Sequence, residues 1–541
     1  MGAPPGSQVS ALPANLPFRL VSKTIGSGAY ASIRKATPLN APSPIIAVKF
    51  IHKEHAFRVG RLRPKQIQLE LALHQQVCPH KNIIRFLSTG EDSSWIWLAL
   101  ELAEGGDLFD KIEADEGVSP EVAHLYFSQL VAAVSWCHDK GVAHRDVKPE
   151  NMLLSGSGDM KLADFGLATQ FMNAKTGERK VCGMVCGSPP YIAPEILAVG
   201  KANETLKRKK VEGEKLGYDP DGADVFSCGI VLFVLLAGNT PWDCPDLEQS
   251  WEYAEWVKTR GEPSDELWEK IPHEVKGLLR GVLAVEPSER WSWAAVRRHE
   301  WMRRRNPYMD DNGNATDQVG LATCMLEKLK INFAQEVGSS QVQRSQQQGQ
   351  RMDVDEPAPL ETDWEAPPPP GSQLVRQSQQ MHPSTQALRY LPGFLADLHS
   401  DPVMSQFSAT PSLPETLTQA ARKYSDIMPS TSLTKFYSTM PPAQLSSLLL
   451  SALDRLSVPI PHPKPTWNPV RNRQEYRIHT LDSRSQDLYG GVVVDIIGVE
   501  GREVVRVCLN KAKGDPIGWR RFFKEVVLCC RDGVLCFDED F

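Results

Sequence analysis

The chain has 541 residues, of which 41% are hydrophobic and 23% charged, and its formal net charge is −6. At about 150 residues per domain, this length predicts several domains, and the ordinary composition predicts well-packed cores. The acidic balance excludes a nucleic-acid binder that works by bulk charge, so no direct nucleic-acid binding is expected.

Membrane and secreted classes are also disfavoured. The longest apolar run, residues 230–237, is far shorter than the ~20 residues that a transmembrane helix needs. The first residues carry no basic start followed by an apolar stretch, so no secretory signal is expected. The 11 cysteines are scattered without a zinc-like spacing, which favours a reducing compartment. We therefore expect a soluble intracellular protein without a transmembrane segment.

Composition divides the chain into three blocks. Residues 18–301 and 432–541 show dense apolar periodicity, whereas residues 302–431 are rich in Gln, Ser and Pro. The middle block cannot bury enough apolar surface to offset its ordering entropy, so it is predicted to be a disordered linker. The two outer blocks are predicted to be folded domains.

The first block changes its periodicity part-way. Residues 19–25, 45–51 and 95–100 alternate as strands do. From Ser119-Pro120, a cap and first-turn pair, apolar residues recur at three- and four-residue steps until Gly141, which predicts a helix. A strand-rich part followed by a helix-rich part indicates two lobes with a cleft between them.

A glycine-containing stretch lies between the first two strand-like runs. Glycines there let backbone amides approach phosphate oxygens without interference from a Cβ atom. The alternative is an ordinary turn, in which such glycines are common. The residues concerned are Ile25, Gly26, Ser27, Gly28, Ala29, Tyr30, Ala31, Ser32 and Ile33.

Lys49 is a single cation within the apolar strand 45–51. It is either a side chain that extends to solvent or a cation held against nucleotide phosphates, which requires a carboxylate to orient it. Glu70 is the only acidic residue between Glu54 and Glu91, and it lies in a helical stretch. We predict that Glu70 is that carboxylate.

The most specific motif is His144-Arg145-Asp146-Val147-Lys148-Pro149-Glu150-Asn151, and Asp164-Phe165-Gly166 follows it. Here the chain resembles the eukaryotic protein kinases, and the resemblance continues through Ala193-Pro194-Glu195 to Arg290. It implies the bilobal α+β kinase fold, with ATP and Mg²⁺ as cofactors. Ala31 departs from the family, because it stands where the glycine-rich loop normally has its third glycine.

Phosphoryl transfer passes through a loose transition state with charge spread over the moving group, so positioning and electrostatic stabilisation dominate catalysis. By resemblance, Asp146 accepts the proton of the acceptor hydroxyl, and Lys148 neutralises charge on the γ-phosphate. Asn151 and Asp164 hold two Mg²⁺ ions that bridge the phosphates. The expected catalytic residues are thus Asp146, Lys148 and Asn151, and the expected metal ligands are Asn151 and Asp164.

The resemblance also assigns supporting roles. Glu195 and Arg290 correspond to a buried ion pair that anchors the activation segment. Asp224 corresponds to the residue that accepts hydrogen bonds from the catalytic-loop backbone. Ser188 replaces the commoner Thr that contacts the catalytic Asp and Lys.

The His-Arg-Asp-X-Lys sequence is the serine/threonine form of the catalytic loop. By the same resemblance, Leu100 is the gatekeeper, and Glu101 and Ala103 give hinge contacts to adenine. Asp107 and Glu150 match positions that bind an arginine three residues before the acceptor, and carboxylates pair well with a guanidinium. We therefore expect protein substrates with Arg at that position. The alternative is that these two carboxylates are simply solvated.

Several local stretches resemble the checkpoint kinase 1 family in particular. They are residues 186–195, 239–245, 509–515 and 520–523. The last two imply that residues 432–541 are a small α+β kinase-associated domain. The family implies an enzyme of the DNA-damage and replication checkpoint that delays the cell cycle, in the nucleus and also in the cytoplasm. Residues 207–210 are either a nuclear-import signal or a charged surface loop.

The middle block contains seven Ser/Thr-Gln pairs. In an accessible disordered segment, such pairs are what the damage-sensing kinases of the phosphatidylinositol-3-kinase-like family need, so one of these kinases is the expected upstream partner. Each phosphate adds roughly −1.5 to −2 charges. The pairs begin at Ser340, Ser345, Ser372, Ser378, Thr385, Ser405 and Thr418.

The third block is predicted to be a compact α+β module. Residues 432–456 are predicted to be a helix, and residues 492–497 and 504–509 a hairpin. A final helix has an aromatic stripe that predicts a buried face. Its basic residues, which face elsewhere, are Arg520, Arg521 and Lys524.

This basic side of the helix is either a solvated face or a surface that docks on the kinase lobes or on anionic ligands. A linker of ~130 residues spans roughly 60 Å as a random coil, and tethering raises the effective concentration of a weakly binding domain. We hypothesise that the C-terminal domain contacts and restrains the catalytic domain, and that linker phosphorylation loosens this contact.

Two other functions remain open. One is another serine/threonine kinase with a kinase-associated tail, such as the energy-sensing group, which the Ser/Thr-Gln pairs disfavour. The other is a pseudokinase scaffold, which the complete set of polar catalytic groups disfavours.

Overall fold

A computed structural model of the protein describes two folded domains and parts of the segment between them. The described residues are 11–13, 15–27, 31–58, 63–173, 175–208, 216–329, 331, 333, 402–407, 434–459, 467, 472–482, 487–499 and 502–536. Linker residues 334–401 and 408–433 lie outside these ranges, and with them lie all the Ser/Thr-Gln pairs except the one at Ser405.

The amino-terminal lobe is an antiparallel sheet with two helices. Its elements are β1 (Phe18–Ser27), β2 (Ala31–Pro38), β3 (Ile46–His52), α1 (Lys53–Arg58), α2 (Pro64–Val77), β4 (Phe86–Glu91) and β5 (Trp95–Glu101). The strand order is β1-β2-β3-β5-β4. Alternation buries Val48 and Phe50 of β3, as expected for a sheet with one face on a core. The three predicted strands are confirmed to within two residues at each end.

The carboxy-terminal lobe of the catalytic domain is mainly helical. Its helices are α3 (Pro120–Asp139), α4 (Pro194–Arg208), α5 (Pro220–Ala237), α6 (Trp251–Lys258), α7 (Glu266–Glu269), α8 (His273–Val282), α9 (Trp293–Arg298) and α10 (Glu300–Arg303). Its short strands are β6 (Gly106–Asp107), β7 (Val142–Ala143), β8 (Met152–Leu154), β9 (Met160–Leu162) and β10 (Thr169–Gln170). The bilobal α+β fold implied by the sequence is confirmed.

Helices α3 and α5 form the centre of this lobe. The N–H of Val122 donates to the hydroxyl of Ser119 and Pro120 occupies the first turn, so α3 begins where its cap predicts. Helix α5 is apolar on all sides and ends at Gly238, whose φ of 65° suits a residue without Cβ. Among the described helices, α5 alone has the length and hydropathy of a membrane span, and 89% of that window is buried inside the protein.

The C-terminal domain is a four-stranded antiparallel sheet with two helices. Its elements are β11 (Lys435–Ser438), α12 (Pro442–Arg455), β12 (Arg473–Leu481), β13 (Asp487–Val499), β14 (Arg502–Lys513) and α13 (Pro516–Cys529), and the strand order is β11-β14-β13-β12. The hairpin predicted at 492–497 and 504–509 is confirmed and is longer than predicted. Its core includes the predicted aromatic stripe of α13.

The single helix predicted for residues 432–456 is wrong at its beginning. Residues Lys435–Ser438 pair with β14 as a strand, and the helix begins only at Pro442. The aromatic residues Phe436 and Tyr437 favour a strand, and Pro442 is favoured in the first turn of a helix but not in its interior. The apolar spacing alone did not distinguish these two elements.

Both ends of the predicted linker, 302–431, are ordered where the structure describes them. Helix α11 (Gln318–Lys328) buries Leu321 in the core of the catalytic domain. A 3₁₀ helix at Pro402–Phe407 buries Phe407 in the core of the C-terminal domain. The prediction of disorder is therefore wrong for these stretches, because short apolar clusters within a polar composition find a core to join.

An ion pair connects the end of the activation segment to the carboxy-terminal lobe. Arg290 donates to both oxygens of Glu195, at 2.6 and 3.0 Å. The guanidinium also donates to the carbonyls of Gly222 and Ala284, so its donors are well used in a site where its side chain is only 2% exposed. These hydrogen bonds to one buried guanidinium fix the position of α4 against the lobe core.

We predict that Arg290→Leu destabilises the catalytic domain by about 3–5 kcal/mol, because it leaves the Glu195 carboxylate poorly solvated and unpaired. The matched control is Arg280→Leu, which breaks an ion pair with Glu262 whose partners are largely exposed and which contributes about 0–1 kcal/mol. Chemical denaturation followed by tryptophan fluorescence measures both. Equal losses of stability for the two variants would mean that burial of the Arg290 pair adds nothing, contrary to this expectation.

Candidate active site

The catalytic loop is held by one fully buried carboxylate. Asp224 of α5 accepts hydrogen bonds from the backbone N–H groups of His144 and Arg145, both at 2.7 Å. Its Oδ2 also lies 2.9 Å from Nε2 of His138, whose other ring nitrogen accepts from the indole of Trp293. Arg145 has a φ of 62°, a strained conformation that these hydrogen bonds stabilise. The sequence predicted Asp224, but the roles of His138 and Trp293 were missed.

The predicted catalytic side chains meet at this loop. The ammonium of Lys148 lies 2.9 Å from Oδ2 of Asp146, and the Asn151 amide donates to the Asp146 backbone carbonyl at 2.8 Å. Ser188 accepts from Lys148 at 3.0 Å and donates to Asp146 at 3.3 Å. Burial alone lowers the pKa of Lys148, but the charges of Asp146 and Glu150 raise it. This side chain is therefore a cation at neutral pH.

The predicted partner of Lys49 is also in place. Lys49 Nζ lies 2.8 Å from Oε1 of Glu70 and 3.2 Å from Oδ1 of Asp164. Burial alone lowers the pKa of Lys49, but the two carboxylates raise it above its usual value. The charge of Lys49 lowers the pKa of Asp164 to about 2. Both groups are therefore ionised at neutral pH, as phosphate binding and metal ligation require.

One cavity of about 780 Å³ is lined by Lys49, Glu70, Asn151 and Asp164, and this volume is typical of small-molecule sites. Asp146 and Lys148 are not among its lining residues. Its adenine side is formed by apolar residues at the hinge, and its phosphate side by the charged groups described above. Of the predicted nucleotide-binding and metal-binding residues, the cavity is lined by Ile25, Ala31, Ile33, Lys49, Glu70, Glu101, Ala103, Asp107, Asn151 and Asp164, together with the gatekeeper Leu100.

The glycine-rich stretch is only partly described. Residues Gly26 and Ser27 end β1, and they pair with Ile33 and Ser32 of β2. Gly28, Ala29 and Tyr30 lie outside the described residues. Ala31 lines the cavity, so its methyl group takes up space on the phosphate side. Ile25 and Ile33, on either side of the undescribed residues, line the cavity as well, as expected for the flanks of a phosphate-binding loop.

The two carboxylates predicted to bind arginine both line the cavity. Asp107 accepts from the N–H of Phe109 at 2.8 Å, at the start of a short 3₁₀ helix, Phe109–Lys111. Burial raises the pKa of Glu150, and the charges of Lys148 and Lys511 oppose this rise. Lys511 belongs to the C-terminal domain, so that domain already brings a cation to one of the predicted arginine-binding groups.

Asn151 and Asp164 fit the predicted metal role. Because the Asn151 amide nitrogen donates to Asp146, its oxygen is free to face the cavity, and Asp164 has a half-exposed side chain. In the described part of the chain, no group of three or more His, Cys, Asp or Glu side chains forms a metal cage. Mg²⁺ is usually held by one or two protein oxygens plus substrate phosphates, so this sparse donor set suits it. A bound divalent ion would supply charge stabilisation of the phosphoryl group there.

The protein kinase domain family matches residues 20–302. The serine/threonine-protein kinase chk1 of Schizosaccharomyces pombe is 34% identical over 516 residues, which cover 95% of this chain and 96% of that protein. The serine/threonine-protein kinase CHK1 of Saccharomyces cerevisiae is 33% identical over 98% of this chain and 99% of that protein. The chain belongs to the Chk1 family of serine/threonine protein kinases.

A relative from another kinase group is similar over a shorter range. The CBL-interacting protein kinase 11 of Oryza sativa is 33% identical over 52% of this chain and 51% of that protein. The Chk1-named relatives are thus similar in the C-terminal domain as well. A protein kinase of this family uses a nucleoside triphosphate and a divalent metal, which agrees with the cavity and its charges.

We predict that Asp146→Asn lowers kcat by about 10²–10⁴-fold, the range typical of a lost general base, while the affinity for ATP stays close to that of the unmodified enzyme. The matched control is Asp139→Asn, which changes an exposed carboxylate at the end of α3. Peptide phosphorylation with Mg²⁺-ATP measures the effect. Full activity of Asp146→Asn would show that Asp146 is not the base.

Proposed function

We propose that this kinase transfers the γ-phosphate of Mg²⁺-ATP to Ser or Thr of protein substrates in the DNA-damage and replication checkpoint, and so delays the cell cycle. The observation that carries the chemistry is that Asn151 and Asp164 line one cavity while Asp146, next to Lys148, is hydrogen-bonded to Asn151. The near-full-length similarity to proteins named Chk1 supports the checkpoint role.

A pseudokinase scaffold is disfavoured by the same geometry. The Asn151 amide donates to the backbone carbonyl and the carboxylate of Asp146 at 2.8 and 3.2 Å. Lys49 has its predicted partner, Glu70, and also contacts Asp164. Only Ala31 departs from the family pattern. A nuclear location goes with the checkpoint role, and the basic residues 207–210, of which 209 and 210 lie outside the described residues, would support nuclear import.

We infer that the preferred substrates carry Arg three residues before the acceptor. Asp107 and Glu150 line the same cavity as the catalytic Asn151, so a peptide whose hydroxyl reaches Asp146 passes close to both carboxylates. The cation of Lys511 near Glu150 indicates that this position accepts positive charge.

We predict that a peptide with Arg at this position has a kcat/KM about 10–100-fold higher than the same peptide with Ala. This factor corresponds to the stabilisation expected from one or two charged hydrogen bonds. Glu150→Gln should reduce this ratio, whereas Glu104→Gln, a change at an exposed carboxylate of the hinge, should not. Steady-state rates on the two peptides measure the ratio. Equal rates for the unmodified enzyme would refute the preference.

The C-terminal domain is seated against the catalytic cleft. Lys511, Pro516, Trp519 and Arg520 line the same cavity as Asn151 and Asp164, and Ile517 packs in the core of the catalytic domain. A domain in this position leaves little room for a protein substrate. We therefore infer that it inhibits the kinase, which agrees with the restraint hypothesised from the sequence.

A charged contact holds helix α13 in this position. Arg520 donates to Oε2 of Glu113 from Nε and Nη2, at 3.1 and 3.0 Å, and the side chains of Arg520 and Glu113 are 4% and 0% exposed. Arg521 forms a bidentate pair with Asp115, at 2.8 and 2.7 Å. Of these two pairs, Arg520–Glu113 is buried, and a buried pair leaves an uncompensated charge when one partner is removed, at a cost of about 3–5 kcal/mol.

We predict that Arg520→Ala raises kcat/KM on a short peptide substrate at least fivefold, because the domain contact loses its buried ion pair. The matched control is Arg531→Ala, which changes an exposed arginine that pairs with its neighbour Asp532. Thermal unfolding verifies that both variants are folded. Unchanged or lower activity of Arg520→Ala would contradict inhibition by this contact.

The Ser405-Gln406 pair lies within the same contact. Gln406 is 1% exposed, and its Oε1 accepts from Nη1 of Arg520 at 2.5 Å. The backbone carbonyl of Gln406 accepts from the N–H of Ile331. Damage-sensing kinases of the phosphatidylinositol-3-kinase-like family select glutamine after the acceptor, so this glutamine is hidden from such a kinase while the domains are docked. We infer that release of the domain precedes phosphorylation and that the added phosphate then opposes redocking.

We predict that a kinase of that family phosphorylates Ser405 several-fold faster in the Arg520→Ala chain than in the unmodified chain, because Gln406 becomes accessible. Quantitative mass spectrometry of the Ser405 peptide measures the rate. A Ser/Thr-Gln pair from the linker outside the contact, such as the one at Ser372, provides an internal control. Equal Ser405 rates in the two chains would overturn this order of events.

A further inference from the structure

The carboxylate of Glu113 depends on the C-terminal domain for all its charged partners. Among the described residues, its side-chain partners are Arg520 and Lys524, both of α13. No described side chain of the catalytic domain pairs with it. Asp115 accepts from Asn239 of its own domain at 2.7 Å, but its cationic side-chain partner is Arg521. Lys270 of the catalytic domain donates to the backbone carbonyl of Asp115, and its charge also lowers the pKa of that carboxyl. Glu113 therefore takes its cationic partners from the C-terminal domain, and Asp115 takes from it the cation that pairs directly with its carboxylate.

The charge balance of this surface changes when the C-terminal domain leaves the catalytic domain. A carboxylate that loses its ion-pair partner must gain water or another cation. Asp115 is ionised at neutral pH, because Arg521 lowers its pKa although burial alone raises it. Release of α13 therefore exposes a pair of negative groups, Glu113 and Asp115, on a part of the surface that fits guanidinium and ammonium groups.

These two carboxylates continue a row of acidic groups that begins at the catalytic cleft. Asp107 and Glu150 line the cavity together with Arg520, and Arg520 also contacts Glu113. One side chain therefore reaches from the cavity to Glu113. Asp107, Glu113 and Asp115 also lie on one short segment of the chain, which includes the 3₁₀ helix Phe109–Lys111.

The C-terminal domain places a cation at three positions of this row. The charge of Lys511 acts on Glu150, Arg520 pairs with Glu113, and Arg521 pairs with Asp115. From the sequence, the basic side of α13 is either a solvated face or a docking surface. The structure shows it docked on the kinase lobe.

We propose that Glu113 and Asp115 form a second substrate-binding site, which binds basic side chains farther from the phosphoacceptor than the arginine at position −3. The ligand is an arginine- or lysine-containing segment of the protein substrate, and α13 is its internal competitor. This inference rests on the proposed function, because the −3 position defines where the substrate enters the acidic row.

Chain geometry sets the spacing that the ligand needs. An extended peptide rises about 3.3 Å per residue, and its alternate side chains point to the same side. Two basic residues separated by one position therefore lie about 6.6 Å apart on one face. Glu113 and Asp115 are also separated by one position, so their Cα atoms lie at most about 7 Å apart. Pairs of arginines at −5 and −7, or at −6 and −8, match this spacing.

The test uses the full chain carrying Arg520→Ala and Arg521→Ala, so that α13 no longer occupies the site. Three peptides share Arg at −3, and they carry alanines, arginines at −5 and −7, or arginines at −6 and −8. We expect one arginine pair to lower KM three- to tenfold, with kcat changed less than twofold. Addition of Glu113→Gln and Asp115→Asn to the same chain should return the ratio of KM values to about one.

A reciprocal experiment tests whether the effect arises from peptide charge in general or from these two carboxylates. In the chain with Glu113→Lys and Asp115→Lys, a peptide with glutamates at the effective positions should become the better substrate by a similar factor. Equal KM values for all three peptides in the Arg520→Ala, Arg521→Ala chain overturn the proposal, and so does an arginine advantage that survives Glu113→Gln and Asp115→Asn. Activity on the peptide with Arg at −3 alone reports the proposed function separately.

Discussion

Charge that has been removed from water must be paired, and the architecture of this kinase depends on that constraint. Asp224 holds the catalytic loop, Arg290 holds the activation segment, and Arg520 holds the C-terminal domain, each through a group that is almost fully buried. The first two contacts lie within the catalytic domain. The third connects residues 407 positions apart, so it makes the state of one domain depend on the other.

The same constraint links regulation to catalysis and substrate choice. The acidic groups that suit a basic substrate, Glu150, Glu113 and Asp115, are the groups that the C-terminal domain pairs with its own cations. In the proposed mechanism, inhibition and substrate binding thus use one surface and exclude each other. Gln406 lies at the junction, since it accepts from Arg520, and this places a modifiable linker segment where it can influence the competition.

The sequence predicted the features that local chemistry determines. Strands, the cap of α3 and the catalytic motif follow from short sequence patterns. Glu70 could be identified as the partner of Lys49 because it is the only acidic residue between Glu54 and Glu91. The helix expected at 432–456 was wrong, because Phe436 and Tyr437 pair with a distant strand. For the contact of Arg520 with Glu113, the sequence showed the basic side of α13 as one possible docking surface but gave no signal at Glu113. Long-range pairing depends on how two finished domains fit, which neither periodicity nor composition encodes.

The most direct test of inhibition through the buried pair is a double-mutant cycle between Arg520 and Glu113 in the full chain, with kcat/KM on a short peptide as the readout. We expect Arg520→Ala and Glu113→Gln each to raise activity, and the double variant to be no more active than the better single one. That result corresponds to a coupling energy of about 0.5–3 kcal/mol, as found for residues in contact. Effects that simply add would mean that the two residues act independently, and the central claim would fail.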